Sequence, residues 1–249
     1  MIASRRAAGL LGLAALAAAL AGCESTQEKS ARAKRDGAKL INEKGLVVNG
    51  TNASVSVLRT GVVADANGVA VAVVLRNAAP APAIDVPIAI DVRDAKGRSV
   101  FKNDAPGLDA SLTAISTIPA RGEVTWVNDQ VTADGTPATV RARIGAAKGK
   151  PGGPLPEILV GAPTVIDDPV SGLELTGTVT NRSSSDQTRL VVAGVAWKGA
   201  RLAAAGRSVI EKLTTNKPAK YHILPIGRPQ GARLAVVAIP TVTTTKRGS

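Results

Sequence analysis

Apolar and polar residues alternate along most of the chain after residue 45, in short runs separated by clusters of turn-forming residues. Two clear runs are "VAVAVVLRN", in which large and small apolar residues alternate before Asn77, and "LELTGTVTN", in which polar residues alternate with apolar residues or glycine before Asn181. Successive side chains of a strand point to opposite faces, so this alternation predicts strands with one face on a core. Turn clusters recur about every ten residues, and this spacing favours antiparallel β-sandwiches. The pattern therefore predicts an all-β protein.

The two halves of the chain repeat the same order of features. In the first half Asn77 is followed by a Pro-rich break, a second apolar run and a turn at "DAKG". In the second half Asn181 is followed by a polar break, a second run and a turn at "KG", and segments 77–93 and 181–197 align without a gap. Each half then has one aromatic residue in a predicted strand after a later turn, Trp126 and Tyr221. The repeat predicts two tandem immunoglobulin-like antiparallel β-sandwiches.

Composition divides the chain into six segments. The stretch "AAKGKPGGPLP" interrupts the apolar runs with prolines and glycines, which sustain neither a helix nor a strand ladder. The polar stretch after Cys23 has too few apolar residues to pack. The predicted segments are an export signal at 1–22, a flexible tether at 23–45, sandwich 1 at 46–147, a Pro/Gly linker at 148–155, sandwich 2 at 156–242 and a basic tail at 243–249.

The first 22 residues have the parts of an export signal: Arg5 and Arg6, an apolar stretch, and small residues before Cys23. The stretch is short and rich in Ala and Gly, so a cleaved signal fits better than a membrane span. The sequence "LAGC" at 20–23 resembles the bacterial lipobox, in which the cysteine becomes lipid-modified and N-terminal. The resemblance implies a lipid anchor on Cys23 and a location on the extracytoplasmic face of the cell membrane. A secreted protein cleaved near Ala21 is the alternative, and the export route, general or twin-arginine, stays open.

The sequences "AIDVRDAKG" at 89–97 and "GTVTN" at 177–181 carry a second resemblance. They are similar to the pattern of the FxLYD-type immunoglobulin-like domain of bacterial surface lipoproteins. The first half has Val73 where the pattern has its upstream glycine, and neither half keeps the aromatic residue of the motif in place. The resemblance implies a small sandwich domain without a known catalytic site, and it supplies no functional residues.

Charge is distributed unevenly along a chain whose formal net charge is +12. From Glu157 onward there are twelve basic and six acidic residues, whereas from Gly45 to Ala147 there are nine of each. A basic surface near a membrane attracts anionic headgroups and polymers. The partner is therefore open between an anionic lipid, a wall polymer and another envelope protein, with Lys217, Lys220 and Arg228 as the candidate contact. Nucleic acid is a poor partner because four aromatic residues provide few stacking platforms.

No cluster of residues predicts a catalytic, cofactor or metal site, and the single cysteine excludes an intrachain disulfide. A hydrolase would need His222, the only histidine, beside a nucleophile such as Ser208 or Thr215. Asp167 and Asp168 in "VIDDPV" could be considered for calcium, but Pro169 and Gly172 favour a turn. The sequence predicts a non-catalytic envelope module that binds or spaces, and the alternative is a surface solute-binding protein or a hydrolase that uses His222.

Overall fold

The computed structural model describes residues 45–169 and 172–242 and the backbone of residues 244 and 245. The predicted export signal, Cys23, the tether up to residue 44 and most of the predicted basic tail lie outside these residues. Across the described ranges there is no α-helix, and every strand pair is antiparallel. The prediction of tandem all-β sandwiches is therefore confirmed.

Sandwich 1 consists of two sheets. Its strands are β1 (Val55–Asp65), β2 (Gly68–Asn77), β3 (Ala83–Arg93), β4 (Ser99–Lys102), β5 (Ala114–Ile118), β6 (Glu123–Asn128) and β7 (Thr139–Ile144). Sheet 1 has the order β1-β2-β6, and sheet 2 is built around β3, which pairs with β4, β5 and β7. Their inner faces enclose an aliphatic core around Trp126.

Sandwich 2 has the same layout. Its strands are β9 (Ile158–Val160), β10 (Thr164–Asp168), β11 (Gly172–Asn181), β12 (Gln187–Lys198), β13 (Arg201–Leu213), β14 (Pro218–Ile223), β15 (Ile226–Gly227) and β16 (Arg233–Ile239). Sheet 3 has the order β15-β13-β12-β16, and sheet 4 has the order β10-β11-β14 with β9 also on β11. A second aliphatic core surrounds Tyr221.

The internal repeat is visible in matching hydrogen bonds. Asn77 and Asn181 are both fully buried at the ends of β2 and β11. Each side-chain amide donates to a carbonyl four residues later, Ala81 at 2.8 Å and Ser185 at 2.8 Å. Each Oδ1 accepts from the backbone N–H two residues later, at 3.0 Å in both halves. The two asparagines thus fix equivalent turns by satisfying backbone groups that burial would leave unpaired.

The four sheets stack in the order 2-1-3-4, because sheet 1 and sheet 3 pack against each other. Alternate residues of β2 face different cores: Val71 and Val73 point into sandwich 1, whereas Ala70 and Ala72 contact sandwich 2. On the other side, a third core contains Ala193, Val195 and Trp197 of β12 with Leu202 and Ala205 of β13. Both central strands are therefore buried on two faces, and the described residues form one compact unit.

The predicted linker has regular structure in part. β8 (Lys150–Pro151) pairs with the backbone of β17 (Thr244–Thr245), and Gly149 donates its N–H to the Ile84 carbonyl at 3.1 Å. Apart from the β8–β17 ladder, every strand in the described residues pairs inside its own half. The domain boundaries at residues 147 and 156 stay predictions.

Candidate functional site

A buried arginine joins the two sandwiches. Arg207 of β13 has a side chain that is only 5% exposed. Its backbone N–H donates to Asp129 Oδ2 at 2.9 Å, and its Nε lies 3.4 Å from Asp129 Oδ1. Its Nη1 donates to Ser111 Oγ at 2.5 Å. Because Asp129 and Ser111 belong to sandwich 1, these bonds fix the position of one sandwich on the other, and the ion pair compensates the burial of the guanidinium.

A cleft of about 290 Å³ lies beside this contact, between the two sandwiches. Its lining includes Ile115 and Trp126 of sandwich 1 and Val191 and Ile239 of sandwich 2. The Trp126 indole N–H donates to the Ser111 carbonyl at 2.8 Å, so the ring is held in place by the same turn that binds Arg207. That turn is a 3₁₀ helix at Ala110–Leu112.

An ion pair borders this cleft. Arg189 contacts Asp109 of sandwich 1 and lies 3.1 Å from Glu211 of its own sandwich. Burial raises the pKa of Asp109, but hydrogen bonds from Ser111 and the charges of Arg189 and Arg207 outweigh it, so that the pKa lies below the usual value. The cleft thus combines an apolar lining with a charged edge, which is the usual composition of a small binding site.

A second cleft, of about 530 Å³, is more acidic. Asp65, Asp129, Asp167 and Asp168 line it together with Arg228. Asp65 Oδ2 accepts from the Gly227 backbone N–H at 2.8 Å, and Asp167 lies 3.5 Å from Arg228. No group of three or more acidic, histidine or cysteine side chains in the described ranges is placed to hold a metal ion. Asp167 and Asp168 end β10 where the chain turns towards β11, as the sequence predicts.

The structure separates the residues of the alternative hydrolase site. His222 lies on β14, where its Nδ1 contacts Glu174 and 61% of its side chain is exposed. Ser208 lies on β13 in sheet 3, opposite Val192. Thr215 follows β13, and its backbone N–H donates to Asp186. Neither hydroxyl forms a hydrogen bond with His222 within the described part of the chain, so the structure does not bring these three residues together.

The basic residues that the sequence groups together also lie apart. Lys217 precedes β14 and Lys220 lies within it, opposite Thr178, and both are exposed. Arg228 lies beyond the other end of β14 beside Asp167, and Tyr221 between them is 1% exposed. The structure thus places Lys217 and Lys220 at one end of β14 and Arg228 beyond the other end, and a contact of these three cations with an anionic partner stays a prediction.

The sequence does not predict the contact between the sandwiches. Arg207 is separated from Ser111 by 96 residues and from Asp129 by 78, so no local motif contains them. The available signal was the continuous apolar character of β2 and β12, which is typical of strands buried on both faces.

Comparison with known proteins gives structural neighbours but no family. No family model matches this chain, and no curated protein matches it. Among solved structures, the chain is similar to the crystal structure of red sea bream transglutaminase, with 14% identity and a TM-score of 0.20. The match covers 90% of this chain and 34% of that chain, so this chain spans about a third of that protein. A TM-score this low supports no inference about function.

Within the described residues, no helix is long and apolar enough to cross a membrane.

Proposed function

We propose that this chain is a lipoprotein of the bacterial cell envelope, held by a lipid on Cys23 at the extracytoplasmic face of the cell membrane. The observation that carries the proposal is "LAGC" at 20–23, which ends an apolar leader that begins after two arginines. Acyl chains bind a membrane with about 0.8 kcal/mol per buried CH₂, and more than one chain is needed for stable anchoring. The two or three chains of a bacterial lipoprotein meet that requirement.

The folded part acts in this proposal as a non-catalytic binding or spacer module. Support comes from the apolar core that the two sandwiches share and from the bonds of Arg207 to Asp129 and Ser111. Two domains joined only by a linker would move independently, whereas a large apolar interface restrains them. Such a unit presents its clefts and loops in a fixed arrangement relative to one another.

Replacement of the predicted lipid attachment residue tests the anchor. We expect Cys23→Ala to move the protein from the membrane fraction to the soluble fraction, or to leave it unprocessed, because no thiol remains for acylation. Intact-mass measurement of the wild type should show acyl groups on a chain that begins at Cys23. Ser25→Ala is the matched control and should keep the wild-type mass addition and membrane location. An unmodified wild-type mass with unchanged membrane partition of Cys23→Ala would overturn the proposal.

A further inference from the structure

Four cations surround the tip of the hairpin formed by β12 and β13. Lys198 and Arg201 are paired across the hairpin next to its turn, and both are exposed. Arg233, at the start of β16, lies opposite Trp197 on the other side of β12. The fourth cation is Arg59 of β1. We call Arg59, Lys198, Arg201 and Arg233 the basic tip.

Arg59 is held at this tip by two contacts. Its guanidinium carbon lies 3.8 Å from the centre of the Trp197 ring, in a cation–π contact. Its Nη2 also donates to the carbonyl of Gly199 in the hairpin turn. The indole is 9% exposed and packs in the core between the sandwiches, so it is a fixed platform. Arg59 therefore adds a charge from sandwich 1 to three charges from sandwich 2.

The charge of the basic tip is not balanced by carboxylates in the part of the chain that the structure describes. Within the described ranges, none of its four cations forms an ion pair with a carboxylate. Other cations of sandwich 2 do have such partners: Arg189 with Glu211, Lys212 with Asp186 and Arg228 with Asp167. Like charges gathered without counter-charge produce a positive potential that an external anion can neutralise.

Two exposed apolar side chains precede Arg59. Val57 is 37% exposed and Leu58 is 49% exposed, and the pairing of β1 with β2 shifts register at this point. A dissolved polyanion offers charge to such a surface, whereas a bilayer offers anionic headgroups together with an apolar interior. Apolar residues next to cations are the composition with which proteins lie on anionic membranes. The combination favours a lipid surface over a charged polymer.

We propose that the basic tip, with Leu58, binds the anionic headgroups of the membrane surface. The inference rests on the proposed function and deepens it, because a membrane-bound chain meets such headgroups. Binding through the basic tip would orient the two-sandwich unit on the membrane surface. Each Lys or Arg near an anionic surface strengthens binding by about fivefold, and the attraction acts over a Debye length of roughly 10 Å at 0.1 M salt. Binding should therefore weaken as salt is raised.

Vesicle sedimentation tests the proposal without the lipid anchor. The protein is residues 23–249 with Cys23→Ser, and the vesicles are phosphatidylcholine with or without phosphatidylglycerol. We expect binding only to the anionic vesicles, and a loss of about 25-fold in affinity for Lys198→Gln/Arg201→Gln, since two charges are removed. The matched control is Lys217→Gln/Lys220→Gln, which removes the same charge from two exposed positions, one just before β14 and one within it, and should retain wild-type binding. Circular dichroism confirms that each variant is folded.

The variant Leu58→Ser distinguishes binding to a lipid surface from binding to a charged polymer. It should weaken vesicle binding and leave any binding to soluble polyphosphate unchanged. Equal loss in the two double variants would overturn the proposal, because the attraction would then follow net charge alone. Binding to polyphosphate with none to anionic vesicles would also overturn it, in favour of an anionic polymer. These outcomes do not depend on acylation, so failure of the Cys23→Ala test leaves them interpretable.

Discussion

Tyr221 is the largest side chain of the core of sandwich 2, and a glycine makes room for it. Tyr221 lies opposite Gly177, as Trp126 lies opposite Val73 in sandwich 1. The two pairs occupy equivalent positions, because Gly177 and Val73 each lie four residues before the buried asparagine that ends the strand. A Cβ on Gly177 would lie 2.4 Å from the Tyr221 hydroxyl oxygen and 2.6 Å from its ring. The glycine is therefore required by the ring and not by the backbone, whose φ at this position is ordinary.

Gly177→Ala should consequently destabilise the protein. The added methyl group forces the Tyr221 ring to shift in a closely packed core, and overpacking of this kind costs about 1–3 kcal/mol. Urea denaturation should show the loss as a lower midpoint. Gly153→Ala is the matched control, since a Cβ there meets no atom within 4 Å, and it should leave the midpoint unchanged. A Gly177→Ala protein as stable as the wild type would contradict this account of the glycine.

At the residue scale, the sequence predicts the repeat but not every contact that its residues make. Asn77 and Asn181 were predicted to be equivalent, and their matching side-chain bonds confirm it. In the sequence, Gly177 fits the upstream glycine of the motif and Val73 departs from it. The contact that requires the glycine is with the Tyr221 ring, and alternation of apolar residues carries no information about ring orientation.

At the scale of elements, one strand of sandwich 2 corresponds to two strands of sandwich 1. β12 pairs with β13 along nearly its whole length, whereas β3 pairs with β4 at one end and β5 at the other. Asn103 occupies the gap and is fully buried. Its side chain accepts from the Ile90 N–H at 2.7 Å and donates to the carbonyls of Ile88 and Leu112 at 2.9 and 2.7 Å. One asparagine thus replaces the ladder of a missing strand segment.

Asn103→Ala should be among the most destabilising single changes in sandwich 1. It leaves one buried N–H and two buried carbonyls without partners, at a cost of about 1–3 kcal/mol for each unsatisfied group. We therefore expect a loss of at least about 3 kcal/mol in the free energy of unfolding, measured by urea denaturation. The control is Asn67→Ala, at an exposed position in the β1–β2 turn, which should stay within about 0.5 kcal/mol of the wild type. An equally small effect of Asn103→Ala would show that the Asn103 side chain does not replace the hydrogen bonds of the missing strand segment.

The β3–β4 hairpin gives a prediction about acid stability. Asp94 Oδ1 accepts from the backbone N–H groups of Lys96 and Arg98, each at 2.9 Å, and Oδ2 accepts from Arg98 Nε at 2.8 Å. These bonds, first the backbone bond from Arg98, lower the pKa of Asp94 and outweigh the opposing effect of burial. A carboxyl whose pKa is lower in the folded state stabilises it above the unfolded pKa, about 3.9, and loses this contribution as pH falls.

Asp94→Asn should therefore flatten the decline of stability in acid. Above about pH 4 the variant should be less stable than the wild type, because the charged acceptor is absent, and the difference should shrink as the pH is lowered through the folded pKa. Urea denaturation at a series of pH values measures both curves. Parallel curves across this range would show that Asp94 does not contribute in this way.

At the scale of the whole molecule, the alanines of the central strands have a structural role. Ala70 and Ala72 of sheet 1 meet Ala193 and Ala205 of sheet 3 in the shared core. The sequence pattern predicts strands with one face on a core, whereas β2 and β12 are buried on both faces. Periodicity does distinguish a strand buried on one face from one buried on both, but it does not identify which second sheet covers the other face.

The two sandwiches should remain together after the connection between them is cut. We expect a protein with a protease site inserted between Gly152 and Gly153, both outside the large ladders, to yield two fragments that co-elute in size-exclusion chromatography. The shared apolar core and the Arg207–Asp129 ion pair hold them, and the insertion touches neither.

Ala193→Arg tests whether the shared core holds the fragments together. It places a charge where the wild-type side chain is fully buried, and an unpaired buried charge is strongly unfavourable. The cleaved variant should separate into two folded fragments, whereas cleaved Ala200→Arg, altered in the exposed hairpin turn, should not. Wild-type fragments that separate on cleavage would mean that the interface is too weak to make the pair a rigid spacer.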